Sequence, residues 1–273
     1  MTNPPAQSPP PAASPLAKLA SHGAIYTAGM LVSRLLSFVM VPVYTHVLGE
    51  SDYGALEILD TTDLLVIAAF SSPIADPVLR HYTDARTDRD RRAVISTSIL
   101  ALTGVGLVVA MIGFALSPWL AEGLLRDRAR APLFMLTFGS VIFQAVLEVP
   151  LSVLRGTDRP VAYAAATLAR TALGFALNIT FVVGLRMGVA GMSLSSLTSS
   201  ATAALIASTV ALKYAGLRFD RAVFRAMLRF GWPLIPGALA VISLQHTRSY
   251  VLNAYWTLAD VGVWALGYRF GAL

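Results

Sequence analysis

Seven predominantly apolar stretches of helix length, and the opening of an eighth, follow one another along this 273-residue chain. They cover residues 24–48, 56–79, 93–120, 133–154, 161–185, 189–212 and 232–255, with the eighth beginning at 261. About 20 apolar residues in a helix cross the roughly 30 Å hydrocarbon core of a bilayer. Inside that core every backbone N–H and C=O needs a partner in the protein, which leaves helices as the structure such runs can adopt. A water-soluble fold is excluded by the balance of 56% hydrophobic against 13% charged residues. The expectation is therefore an all-α polytopic membrane protein. A pI near 9.9 raises the alternative of a nucleic-acid partner. The basic residues fall between the apolar runs rather than on one surface patch, so no nucleic acid is expected. Without cysteine the chain has neither a disulfide framework nor thiolate chemistry.

An internal echo organises these runs. Residues 23–65 laid without gaps on residues 231–273 share eight identities, among them Gly29 with Gly237, Asp52 with Asp260 and Gly54 with Gly262. Both segments read as an apolar run, a short turn containing Asp-x-Gly, and another apolar run. Six crossings separate the two copies, an even number, so they are parallel repeats facing the same way. This predicts a Pro-rich disordered tail over 1–17 and a first six-helix lobe over 18–215. A basic amphipathic connector follows over 216–231, and 232–273 opens a second, parallel lobe that is cut short. Thirteen Lys and Arg lie on the side of the N-terminus and four on the other, which predicts a cytoplasmic N-terminus. Arg126, Arg128 and Arg130 run against that rule locally. In the connector, Arg218, Arg221, Arg225 and Arg229 recur at helical spacing opposite Phe219, Val223 and Met227, the pattern of a helix lying on the anionic leaflet.

Several chemistries lack their residues. No G-x-x-x-x-G-K-[ST] loop is present for a nucleoside triphosphate. His22, His46, His81 and His246 have no metal-ligand spacing, so neither metal nor cofactor is expected. Asn178-Ile179-Thr180 matches a glycosylation acceptor but lies inside a span. Candidate functional residues are the ionisable groups at membrane depth, each of which costs about 2.5 to 3.5 kcal/mol at a helix centre. Arg34, Arg170 and Arg248 keep their charge and present a fork that fits phosphate oxygens. Glu57, Asp60 and Asp63 recur every third residue and are expected on one helical face. Asp60, Asp63 and Glu148 are candidates for ion coupling, or for ion pairs within the bundle such as Arg34 with Asp63. Pro73 and Pro77 are expected to break the second span near its end.

The segments Leu31-Val32-Ser33-Arg34-Leu35-Leu36-Ser37-Phe38, Leu48-Gly49-Glu50-Ser51-Asp52-Tyr53-Gly54, Gly188-Val189-Ala190-Gly191 and Phe230-Gly231-Trp232-Pro233-Leu234 resemble, in order and spacing, the polysaccharide biosynthesis proteins. These flip undecaprenyl-linked O-antigen or capsule units and share a superfamily with the lipid II flippase and the multidrug and toxin exporters. The resemblance implies two six-helix lobes around a positively charged cavity in a bacterial inner membrane. It implies a lipid-linked oligosaccharide substrate, membrane lipids and glycan polymerase or assembly proteins as partners. The Ser-Arg-x-Leu context carries a cavity arginine of the lipid II flippase onto Arg34, whereas Met40 and Val41 stand where that flippase has another basic residue. It also implies that this chain is part of a longer protein. A cation-coupled drug exporter of the same fold and a non-transporting scaffold are the alternatives. A glycan-assembly enzyme would need a catalytic set in a large loop, and no loop exceeds about twenty residues.

Overall fold

Prolines, polar turns and side-chain caps divide the apolar sequence into eight α-helices among the described residues of the computed structural model. Those residues are 47–157 and 159–271, with isolated positions 27, 31, 42 and 44. The tail 1–17 and most of the first span, Arg34 included, lie outside them. We label the helices α1 (Glu50–Asp84), α2 (Asp88–Leu125), α3 (Ala131–Gly156), α4 (Pro160–Asn178), α5 (Gly188–Ala215), α6 (Arg221–Gly231), α7 (Ile235–Tyr255) and α8 (Leu258–Gly271). No strand occurs among the described residues. Six helical stretches are long and apolar enough to cross a membrane, corresponding to the second to seventh apolar runs.

Local chemistry fixes the boundaries. Thr87 starts α2 by accepting the Asp90 N–H at 3.2 Å while its hydroxyl donates to the Asp90 carboxylate at 2.8 Å. Arg126 ends α2 in the left-handed region, φ 55°. Pro132 and Pro160 sit in the first turns of α3 and α4, where a missing N–H costs nothing. A π-helical turn, Ile179–Gly184, extends α4. At 35 residues, α1 is about 52 Å long and outreaches the hydrocarbon core.

Three expectations are corrected. Pro73 and Pro77 do not break the second span, since α1 runs through both. Pro77 cannot donate to the Pro73 carbonyl, and that freed carbonyl is covered by Gly231 at the end of α6, where any side chain would collide with it. Glu57 does not share the face of Asp60 and Asp63: it accepts from Ser249 in α7 while the two aspartates line a cavity together, because each step of three falls about 60° short of a turn and the drift accumulates. The connector helix begins at Arg221 and leaves out Arg218, because the Asp220 carboxylate caps it there by accepting the N–H groups of Ala222 and Val223. Its apolar face lies against α1 and α2, with Met227 fully buried and receiving the Ser98 hydroxyl, while its arginines stay exposed.

Two cores occupy opposite ends of the bundle. Tyr44, Tyr53, Ile58, Leu125, Phe134 and Phe138 build one; Ile74, Val78, Ile95, Leu102, Val141 and Met227 build the other. Outward-facing positions carry Leu107, Met111, Ile112, Trp119, Leu205 and Ile206, all more than half exposed and suited to lipid. Buried Ser193, Ser195, Ser199 and Ser200 let α5 approach its neighbours closely.

The internal repeat appears as geometry. A Cβ added to Gly54 would fall on the Leu258 carbonyl, and one added to Gly262 on the Glu50 carbonyl. Leu258 stands in the same 208-residue register to Glu50 as Gly262 does to Gly54. The two close approaches are therefore images of each other about a pseudo-two-fold axis between parallel helices α1 and α8.

Candidate functional site

Two helices that nearly touch at one end enclose space at the other. Near Gly54, α1 is joined to α7 by Ser249 donating to the Glu57 carboxylate at 2.9 Å and by a 2.7 Å bond between the Thr62 and Tyr250 hydroxyls. Arg126 donates to the carbonyls of Asn253 and Trp256 at 2.9 and 2.8 Å, satisfying acceptors at the C-terminus of α7. Asn253 answers by donating to the Leu124 carbonyl at 2.7 Å, so each helix end caps the other. We call this end the seam.

Toward the opposite end, α1, α3 and α7 part around a cleft of about 740 Å³. Its α7 wall is apolar, made of Gly237, Ala238, Val241 and Ile242. The facing wall is mixed: Ser71, Ser72 and Asp76 alternate with Ile67, Ala68, Ala75 and Leu79 on α1, and Glu148, Ser152 and Arg155 come from α3. Arg155 donates to Ser152 at 2.9 Å and to Glu148 at 3.4 Å, and it lies 5.5 Å over the Tyr163 ring.

A smaller cavity of about 270 Å³ lies among α1, α3, α4 and α5 and is lined by Asp60, Asp63, Thr137, Ser140, Asn178 and Ser196, among others. Asp63 accepts from Gln144 at 3.1 and 3.3 Å and from Ser140 at 3.4 Å. Asn178 donates to Gly174 at 3.2 Å, leaving its buried carbonyl oxygen without a partner. Among the described residues no group of three or more His, Asp or Glu is placed to hold a metal ion.

The sequence candidates are thus distributed rather than gathered. Asp60 and Asp63 face the small cavity, and Glu148 faces the cleft. Arg170 donates to Ser200 in α5 at 3.2 Å, within reach of the charges of Glu148 and Asp63. Arg248 lies over the rings of Trp264 and Tyr268 at 4.6 and 3.6 Å, so it binds α7 to α8. Neither Arg170 nor Arg248 lines the cleft, and Arg34 lies outside the described residues. Sequence reasoning passed over Arg155 and Arg126 as loop charges. Their signal was position: Arg155 falls one turn after the buried run of α3, and Arg126 breaks the charge asymmetry of the loops.

The sequence model of the polysaccharide biosynthesis protein family matches residues 19–273. The chain belongs to that family. It is 25% identical over 258 residues to protein 1 of the Lsg locus of Haemophilus influenzae, a match that covers 92% of this chain. The chain spans 60% of that relative's length. Among solved structures, it superposes with TM-score 0.68 and 16% identity on a MATE transporter crystallised with MaD3S, over 93% of this chain and 64% of that one. A multidrug resistance MATE family transporter of the MOP superfamily, in an inward-facing conformation, gives 0.66 at 16% identity over 86% and 57%. The fold of this family member is accordingly MATE-like: a multi-pass membrane bundle built as a six-helix lobe with the start of a parallel second one.

Proposed function

We propose that this chain forms the first lobe and the opening of the second lobe of a flippase in the bacterial inner membrane. Its cargo would be undecaprenyl-pyrophosphate-linked oligosaccharide for O-antigen, capsule or exopolysaccharide. The family match along residues 19–273 carries this reading. In it residues 18–215 are one lobe, 216–231 the connector and 232–273 the start of the other, with the N-terminus and the cleft mouth facing the cytoplasm. The arginines of the connector and of the α1–α2 loop then face the anionic leaflet.

A sugar head group on pyrophosphate does not cross hydrocarbon unaided, because its charge and hydroxyls lose their hydration. A wet cleft between lobes substitutes fixed partners for that water while the polyprenyl tail stays in lipid, and rocking of the lobes exchanges the open end. Arg34 is the first choice to hold phosphate. Arg170 and Arg248 would join it only by leaving Ser200 and the aromatic pair. Asp60 and Asp63, with the free Asn178 oxygen in the same cavity, are the groups to bind a coupling cation. Glycan polymerase and assembly proteins would receive the product, and no enzymatic step is assigned.

One observation favours a second reading. Asp76 and Glu148 outnumber Arg155 among the described charges of the cleft, and a carboxylate-rich cleft suits the organic cations of a drug exporter. Expression of the full-length protein, both lobes present, in a strain lacking its own oligosaccharide flippase decides between them. Restored surface glycan, lost on Arg34→Ala and partly kept by Arg34→Lys, is the expected result. Export of ethidium without restored glycan would replace the flippase by the exporter.

A further inference from the structure

The charges of the cleft do more than raise an alternative. If the family's cargo is a glycan, they restrict which glycan. We infer that the cleft between α1, α3 and α7 lodges the sugar units rather than the pyrophosphate, and that it selects uncharged sugars over acidic ones. This inference rests on the flippase reading above.

The cleft offers the two surfaces a sugar ring presents. Hexoses are apolar on the C–H faces of the ring and polar at the hydroxyl edges. The α7 wall, Gly237, Ala238, Val241 and Ile242, is apolar and matches the first. The opposite wall sets two carboxylates and three hydroxyls, which accept from and donate to sugar hydroxyls, among the apolar Ile67, Ala68, Ala75 and Leu79. A carboxylate acceptor makes a stronger hydrogen bond than a neutral one, so Asp76 and Glu148 hold hydroxyl groups well without a charged ligand.

The same carboxylates make the cleft a poor site for an anion. Arg155 is the cation among the described lining residues, and its guanidinium is already engaged by Glu148 and Ser152. A uronic acid or a pyrophosphate placed here adds negative charge beside Asp76 and a Glu148 that Arg155 already occupies, and like charges this close repel. The discrimination is therefore built mainly from repulsion, with Asp76 and Glu148 as its specificity-determining residues.

The test uses the purified full-length protein, both lobes present, in liposomes with two fluorescent probes on one short polyprenyl pyrophosphate: a trisaccharide of neutral hexoses, and the same trisaccharide with glucuronic acid replacing one glucose. The neutral probe is expected to cross faster by about tenfold, equivalent to 1.4 kcal/mol. Asp76→Asn should reduce that ratio, and Glu148→Gln should reduce it further because it also frees Arg155. Reading the ratio within each variant removes differences in the amount of folded protein. Equal rates for both probes, or a ratio unchanged in both variants, would overturn the charge selection while leaving the flippase reading intact. Transport of neither probe by the full-length protein, shown to be folded by a cooperative thermal transition, would remove the flippase reading, and the selection with it.

Discussion

Helices α1 and α7 meet twice under different rules. At the seam they touch through hydroxyls and a carboxylate, Arg126 at the end of α2 holds the last carbonyls of α7, and α1 meets α8 with no side chain between the backbones at Gly54 and Gly262. At the cleft the same helices stand apart, one wall apolar and the other carrying charged and polar groups among apolar ones. Lipid is as apolar as leucine, so helices in a bilayer gain little from burying apolar surface against each other. What holds them is close approach and hydrogen bonding, and where the sequence supplies neither the helices separate. The seam is thus a contact that specific residues maintain, and single substitutions there should weaken it.

The largest effect is expected at the crossing of α1 and α8. Gly262→Ala places a methyl group on the Glu50 carbonyl, and Gly54→Ala places one on that of Leu258. Backbone cannot rotate away as a side chain would, so the helices must part, at about 1 to 3 kcal/mol for overpacking. The chain has no cysteine, so a single Ser249→Cys, fully buried in the seam, reports the separation by its reaction with a water-soluble maleimide. Faster labelling in Gly262→Ala is expected. Gly104→Ala, where no atom lies within 4 Å, should label like the parent. Identical rates in all three would show that the seam does not depend on its glycines.

Arg126→Ala should come next. It removes two charged hydrogen bonds to α7 and leaves the Asn253 and Trp256 carbonyls to water. Bonds of this kind contribute about 1.5 to 3 kcal/mol when buried, and partial exposure reduces the pair to roughly 1 kcal/mol. A lower melting temperature and faster labelling at Ser249→Cys are expected. Arg126→Lys should recover only part, since a single ammonium does not span both carbonyls as a planar fork does. Full recovery by lysine would reduce the role of Arg126 to bulk charge.

The membrane class and the spans were legible because a bilayer imposes helix length and backbone satisfaction, and the apolar runs record both. The Asp-x-Gly echo was legible too, and its glycines proved to be the contact between the copies. The course of α1 through Pro73 and Pro77 was not, because the group that covers the Pro73 carbonyl is Gly231, 158 positions along the chain. The cleft was legible least. Which arginine lines a cavity depends on helix rotation, and a sequence gives depth along a helix far better than direction around it. Arg170 and Arg155 lie on different helices with similar claims by composition, yet one reaches into α5 and the other into the cleft.

The smallest effect concerns the two Asp-x-Gly turns, which share a pattern and use its aspartate differently. Asp52 lies 3.7 Å from Arg130, an ion pair across to the turn before α3. Asp260 instead closes the start of α8, accepting from the Thr257 hydroxyl at 2.6 Å and its N–H at 3.0 Å, while its own N–H donates back at 3.3 Å. These bonds hold the exposed Asp260 carboxyl below its ordinary value of 3.8. A lowered value means that the cap is at full strength above the ordinary pKa and is lost as the pH falls through the lowered one. Amide exchange in the first turn of α8 should therefore stay protected, after correction for intrinsic rates, from neutral pH down to about 4 and open below it. Asp260→Asn should show no such step. Because that turn carries Leu258 and leads to Gly262, opening it should also speed labelling at Ser249→Cys, and a turn that melts without disturbing the label would separate the cap from the seam.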